Sequence, residues 1–290
     1  MPAVTELRAR LRDYAMLMRW HRLIGALLLL WPTLWALWYA GAGRPPLAIV
    51  IVFVTGVFMM RSAGCVINDF ADRHFDPHVK RTRERPLAAG RVTPREALIL
   101  FVVLCAISLA LVLTLNGLTV MLAFVGAFLA ATYPFAKRYT HLPQFYLGVA
   151  FGWGIPMAFA AETGAVPAAA WIMLIANIFW AVAYDTEYAM VDRDDDVKIG
   201  VKSTAILFGR WDRALVATCH VLTVGFLAWA GILGGLGLRY YAGLAVAGLF
   251  AIYQQTLIWS RGRDRCFRAF MNNNYFGAAV YIGMLLSYYR

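Results

Sequence analysis

Acidic residues recur at helical spacing in two places of an otherwise apolar chain. Asn68, Asp72 and Asp76 stand at i, i+4 and i+8, so a helix would carry all three on one face. Pro77 follows and disfavours helix at Asp76, which predicts that the element ends there. Asp185, Asp192 and Asp196 stand at i, i+7 and i+11, again on one helical face. Carboxylates crowded at the edge of an apolar environment repel one another and resist desolvation unless a cation offsets them. Oxygen donors alone suit Mg2+, which uses carboxylates together with substrate phosphates. Cys65, Cys105, Cys219 and Cys266 are scattered without a CxxC, and the five histidines are unpaired, so no sulfur or imidazole set competes. The alternative is that the acids pair with neighbouring arginines in solvated loops. That reading suits either motif alone; it is poor for both, because Asp192 follows Asp72 at the same separation as Asp196 follows Asp76.

Basic residues surround these acids. A diphosphate carries more negative charge than one Mg2+ neutralises, so lysine and arginine donors are expected beside it. Arg85, Lys137, Arg138, Lys198 and Lys202 are the candidates; Lys137 and Arg138 stand out because their loop is short. Arg61 differs from the rest. It precedes Asn68 by two turns on the same face, deeper in the apolar run, where an arginine is costly without an anion. It either pairs with a protein carboxylate or receives the carboxylate of an aromatic acid substrate. His220, inside another apolar run, is either a packed polar residue or part of a pathway.

The elements that must position these groups are membrane helices. Of the 290 residues, 61% are hydrophobic and 15% charged, too apolar for a soluble domain. The apolar residues form continuous runs of bilayer-spanning length rather than the alternation of barrel strands. Nine spans are expected, at about 24–42, 46–66, 97–115, 118–136, 143–161, 167–186, 213–233, 239–259 and 272–289. The fold class is therefore all-α and polytopic. The segment before the first span, with Arg8, Arg10 and Arg12, reads as a short amphipathic helix on the membrane surface; no cleavable signal peptide is evident.

Charge orients the chain. With the N-terminus in the cytoplasm, all of the 27 Lys and Arg residues except Arg44, Arg239 and Arg290 fall inside. That asymmetry predicts a bacterial inner-membrane protein with its acidic loops cytoplasmic. It also accounts for the net charge of +11 without nucleic acid. Two long inside loops, 68–95 and 185–210, follow the second and sixth spans and carry the two acidic motifs. The chain thus divides into a first half (about 20–136), a second half (about 137–260) and a ninth helix (about 272–289), with a site expected between the halves. Asn272, Asn273 and Asn274 either cap that ninth helix or touch substrate.

The Asn68–Asp76 motif resembles the NDxxDxxxD signature of the UbiA superfamily of intramembrane aromatic prenyltransferases, and the Arg85-Pro86-Leu87 step and the later Tyr184–Asp196 motif fit the same family. Tyr184–Lys202, Tyr133-Pro134-Phe135 with Lys137-Arg138, and Met271-Asn272-Asn273-Asn274-Tyr275 resemble the group within it that prenylates 4-hydroxybenzoate in ubiquinone synthesis. The likeness covers essentially the whole chain. One departure is Tyr188, where the wider family often has an acid.

The resemblance implies nine helices around a central cavity, capped on the cytoplasmic side by the two loops. It implies that Asn68, Asp72, Asp76, Asp185, Asp192 and Asp196 hold Mg2+ and, through it, a polyprenyl diphosphate. Tyr133, Lys137 and Arg138 would add diphosphate contacts, and Arg61 would orient 4-hydroxybenzoate. Asp72, Asp76, Asp192, Asp196 and Arg138 are the expected catalytic residues. Prenylation of 1,4-dihydroxy-2-naphthoate, homogentisate or haem is the nearest alternative activity. From another class, a transporter also places carboxylates at membrane edges, but alternating access needs a midplane site, and these acids lie on one side.

Overall fold

The computed structural model describes residues 2–289 except 79–81, 140–141 and 200–202; the side chains of 2–5, 134–139, 194–196, 198 and 199 also lie outside the described set. The described residues form α-helices joined by turns, with no strand among them. In chain order the helices are α1 (Pro2–Leu17), α2 (Ile24–Ala40), α3 (Leu47–Ala71), α4 (Pro94–Val112), α5 (Gly117–Tyr139) and α6 (Pro143–Gly152). They continue as α7 (Gly154–Thr163), α8 (Ala168–Ile199), α9 (Thr204–Phe208), α10 (Asp212–Leu233), α11 (Leu238–Ile258) and α12 (Arg263–Tyr288). Among the described residues, five segments are long and apolar enough to cross a bilayer: Leu47–Ala71, Pro94–Val112, Ala168–Arg193, Thr204–Leu233 and Leu238–Ile258. Ile24–Ala40 and Gly117–Tyr133 are shorter apolar helices. The protein is a multi-pass membrane protein.

Three expectations need correction. The segment 143–161 is not one helix: it breaks at Trp153 between α6 and α7. Gly152 and Gly154 flank the break, and Pro156 lacks the N–H that would continue the ladder across it. The region 185–210 is not one long loop, because α8 runs on to Ile199 with no Gly or Pro before that point to end it. In the first motif the helix stops earlier than expected, at Ala71, and Asp76 opens a short 3-10 turn, Asp76–His78, that holds Pro77.

The chain folds as two compact units. One comprises Met1–Ala26 and Val54–Thr114. Its core gathers Leu17, Ala63, Val66, Leu87, Val92, Ala97 and Leu104 from α1, α3, α4 and the loop before α4. The α4 start is a capping box: Thr93 accepts from the Glu96 N–H, Glu96 accepts from the Thr93 N–H, and Pro94 takes the first turn, where its missing donor costs nothing. Glu96 also accepts from the Tyr14 hydroxyl at 2.9 Å and pairs with Arg10 at 3.1 Å, which fastens α1 to that start. This bond, ahead of burial, pushes the Tyr14 phenol up from its ordinary value, since ionisation would destroy the donor.

The other unit comprises Leu27–Phe53 and Leu115–Arg290. Its axis is α8, whose Trp180, Ala181, Ala183, Tyr184 and Glu187 are all essentially inaccessible. Lipid offers no hydrophobic drive between helices, so close backbone approach and interhelical hydrogen bonds hold them together. A Cβ on Gly148 of α6 would lie 2.8 Å from the Ile178 Cα of α8, and Asn177 donates to the Gly148 carbonyl at 2.9 Å. A Cβ on Gly243 of α11 would lie 2.6 Å from the Gly283 Cα of α12.

Candidate active site

The first motif grows from the C-terminal end of α3. Although the helix ends at Ala71, the Asp72 N–H still bonds the Asn68 carbonyl and the Asp76 N–H the Asp72 carbonyl, each at 2.9 Å. The four-residue recurrence therefore survives in the turn. Asp72 is half-buried, with the Asn68 amide 3.4 Å from one of its oxygens. Asp76 is 6% exposed and accepts from Arg85 at 2.8 Å. Sequence reading passed over Asp69, which is 1% exposed. Both its oxygens accept from Arg19 at 2.8 Å, and Arg85 adds a third bond at 3.0 Å. Arg85, expected near substrate, thus bridges Asp69 and Asp76.

Arg19 is placed by a turn that costs backbone energy. Its φ is +61°, in the left-handed region glycine favours. The Trp20 N–H bonds the Ala15 carbonyl and the Arg19 N–H that of Met16, the two bonds of a Schellman ending to α1. The side chain repays the strain through Asp69. The same turn brings the Trp20 indole onto Ser62 Oγ at 3.0 Å, one residue from Arg61.

The second motif lies on α8, so Asp185 and Asp192 share a face of one continuous helix, both half-buried. The Gln144 amide hydrogen-bonds the Asp185 carboxylate and accepts from the Thr204 N–H at 3.3 Å. Beside Asp192, Arg193 reaches the carbonyls of Ala205 and Gly209 and pairs with Asp212 at 3.0 Å. Asp212 is fully buried and also takes Arg261 at 2.7 Å, which ties the end of α8 to the starts of α10 and α12. That bond holds the Arg261 guanidinium above its ordinary pKa, against some desolvation. The side chains of Lys137, Arg138, Asp196, Lys198 and Lys202 lie outside the described residues; Tyr133 is half-buried on α5.

Behind the second motif is a polar seam inside the unit. The three asparagines do not cap a helix, because α12 begins at Arg263. Asn272 accepts from Gln254 of α11 at 3.0 Å and Asn274 from Trp31 of α2 at 3.0 Å. Asn273 accepts from Trp180 at 2.8 Å and donates to Glu187 at 2.7 Å, both on α8. One asparagine run thereby reaches three helices. His220 is buried with its ring 5.7 Å from that of Phe276. Tyr188 packs its ring 4.9 Å from Phe270.

Among the described residues no three His, Cys, Asp or Glu side chains gather as a ready-made metal cluster. The donor chemistry still fits a hard divalent cation: the candidate ligands of both motifs are all oxygen donors, with arginines close by.

A helical membrane protein with oxygen-donor motifs carried by two of its helices is the class these features define. Residues 29–276 match the UbiA prenyltransferase family, and the chain belongs to it. It is similar to the 4-hydroxybenzoate octaprenyltransferase of Methylococcus capsulatus, 59% identical over 283 residues that span 98% of this chain and 97% of the relative. The apo structure of a UbiA homolog from Aeropyrum pernix K1 has the same fold, with a TM-score of 0.79 at 27% identity over 90% of this chain and 97% of that one. A UbiA homolog from Archaeoglobus fulgidus, bound to GPP and Mg2+, shares the fold at a TM-score of 0.72 and 17% identity, over 92% of this chain and 99% of that one.

Proposed function

We propose that the chain transfers a polyprenyl group from polyprenyl diphosphate to 4-hydroxybenzoate, at the ring carbon ortho to the hydroxyl, releasing diphosphate, as a step of ubiquinone synthesis. The observation that carries this reading is the 59% identity, end to end, with a 4-hydroxybenzoate octaprenyltransferase. The chain crosses a bacterial inner membrane nine times, α6 and α7 together making one crossing, with the N-terminus and both acidic motifs cytoplasmic. The first and second halves, about 20–136 and 137–260, are related by internal duplication, each contributing one motif.

Asn68, Asp72, Asp76, Asp185, Asp192 and Asp196 would hold Mg2+, which would supply positive charge to offset that on the departing diphosphate. The bound state of the Archaeoglobus fulgidus homolog supports that choice of metal. Tyr133, Lys137, Arg138, Lys198 and Lys202 donate to the diphosphate oxygens, and Arg85, beside Asp76, adds a cation there. As the allylic C–O bond breaks, its electron pair leaves with the diphosphate. The ortho carbon supplies the pair for the new C–C bond and then loses its proton, restoring the aromatic ring. Arg61 takes the acid's carboxylate and so sets which ring carbon faces the prenyl group. Apolar walls keep water from the cationic fragment.

The test offers purified enzyme with Mg2+ a panel of aromatic acceptors and prenyl diphosphates, with products read by mass. Prenylated 4-hydroxybenzoate is expected. Exclusive prenylation of 1,4-dihydroxy-2-naphthoate or homogentisate would overturn the acceptor, and counterflow in vesicles without any product would overturn the enzyme class.

A further inference from the structure

We propose that Gly25 is a positioning residue for aromatic-acid specificity: its missing side chain is the seat of the Arg61 guanidinium. The inference rests on the reading of Arg61 as the carboxylate receptor. Gly25 is buried in the first turn of α2, and its backbone is not in the left-handed region, so the turn itself does not call for glycine. Alanine is the better helix former. An added methyl group would have to displace the Arg61 guanidinium, the far end of a flexible side chain. A Cβ on Gly25 would lie 2.5 Å from Arg61 Nη2, 2.6 Å from Nε and 3.0 Å from Cζ. Three atoms of one guanidinium lie over one α-carbon, so the group rests against the helix backbone. Gly56 and Gly64, on the same helix as Arg61, have nothing within 4 Å of a built Cβ, so this contact is particular to Gly25.

The surroundings favour an anion. The adjoining cleft is lined by Arg19, Arg22 and Arg61 with Trp20, Phe58 and Ser62. Ser62 is spoken for, since it donates to the Phe58 carbonyl at 2.7 Å while accepting from Trp20. Arg19 is turned to Asp69. A guanidinium pressed against the first turn of α2 meets a carboxylate with a fixed plane, and a planar two-point contact depends on that orientation.

The test is a double-mutant cycle of Gly25→Ala and Arg61→Ala, with KM measured for 4-hydroxybenzoate and for the prenyl diphosphate. Turnover of the corresponding phenol lacking the carboxyl group is the third readout. Gly25→Ala is expected to raise the acid's KM about tenfold or more and leave the diphosphate's KM unchanged. It should also erode the preference for acid over phenol. Added to Arg61→Ala, it should change nothing further. If Arg61→Ala raises the acid's KM but Gly25→Ala does not, the role of Gly25 is overturned and the reading of Arg61 stands. If Arg61→Ala alone leaves the acid's KM unchanged, the reading of Arg61 fails and this inference with it. Should Gly25→Ala not fold, the double variant must fold, because the clash has gone; failure of both would place the obstacle elsewhere and overturn the proposal.

Discussion

Asp69 and Asp72 sit three residues apart in one motif and do different work. Asp69 is buried under two arginines, while Asp72 is half-exposed, with the Asn68 amide close to one oxygen. Removing one member of a buried ion pair costs about 3–5 kcal/mol, because the other charge is stranded. Asp69→Ala is therefore expected to lower the thermal midpoint and the folded yield. Asp72→Ala should keep both and lose about a hundredfold or more in kcat, as removal of a charge-stabilising group does. Melting of Asp69→Ala at the wild-type temperature would take that residue out of the scaffold. The motif's spacing made Asn68, Asp72 and Asp76 legible in sequence. It could not reveal Asp69, whose partner Arg19 is 50 residues away. Nor could it reveal Gly25, which is special only through the residue lying over it.

At the scale of elements, α8 carries Asp185 and Asp192 and is held by side chains from its neighbours. Asn273→Leu would strand the Trp180 indole and a Glu187 oxygen, both buried, at about 1–3 kcal/mol each. A fall in both thermal stability and kcat is expected. Glu187→Gln keeps an acceptor for Asn273 and should stay within about twofold of wild type in kcat. Equal damage from both variants would mean that Glu187 acts through its charge rather than through this bond. Helix existence was legible from the apolar runs, whereas helix extent was not. Charged residues carry α12 back to Arg263 and α8 on to Ile199, beyond any apolar window, because helix propensity and partners such as Asp212 stabilise what hydropathy does not see. The break at Trp153 was written in Gly152, Gly154 and Pro156, yet the apolar run across it masked the punctuation.

For the whole molecule, the oxygen-only motifs predict that a chelator abolishes prenyl transfer and that added Mg2+ restores it; full activity in chelator would sink the metal reading. The charge asymmetry predicts that single cysteines placed near Arg44 and Arg239 react with an impermeant reagent from the periplasm, and cysteines near Lys80 and Lys198 do not. The reverse pattern would put the acidic motifs outside. Membrane class was legible because it is written in composition, and the chemistry was legible through the resemblance of short motifs to a family signature. The tertiary bonds that hold the motifs in place depend on which distant helices meet, and no local pattern encodes that.

The contact between Gly243 and Gly283 has a consequence for how this sequence can drift. Each α-carbon occupies the space a methyl group would need on the other, so neither position can be exchanged alone and the two cannot compensate each other. One turn further along α11, Ala247 and Ala251 continue the packed stripe, whereas Val246, Leu249 and Ile252 point outward. Saturation mutagenesis of α11 should therefore give a striped tolerance map. Outward positions should accept any apolar residue, while the Gly243 stripe should admit almost none, so that one helix records both freedom and constraint.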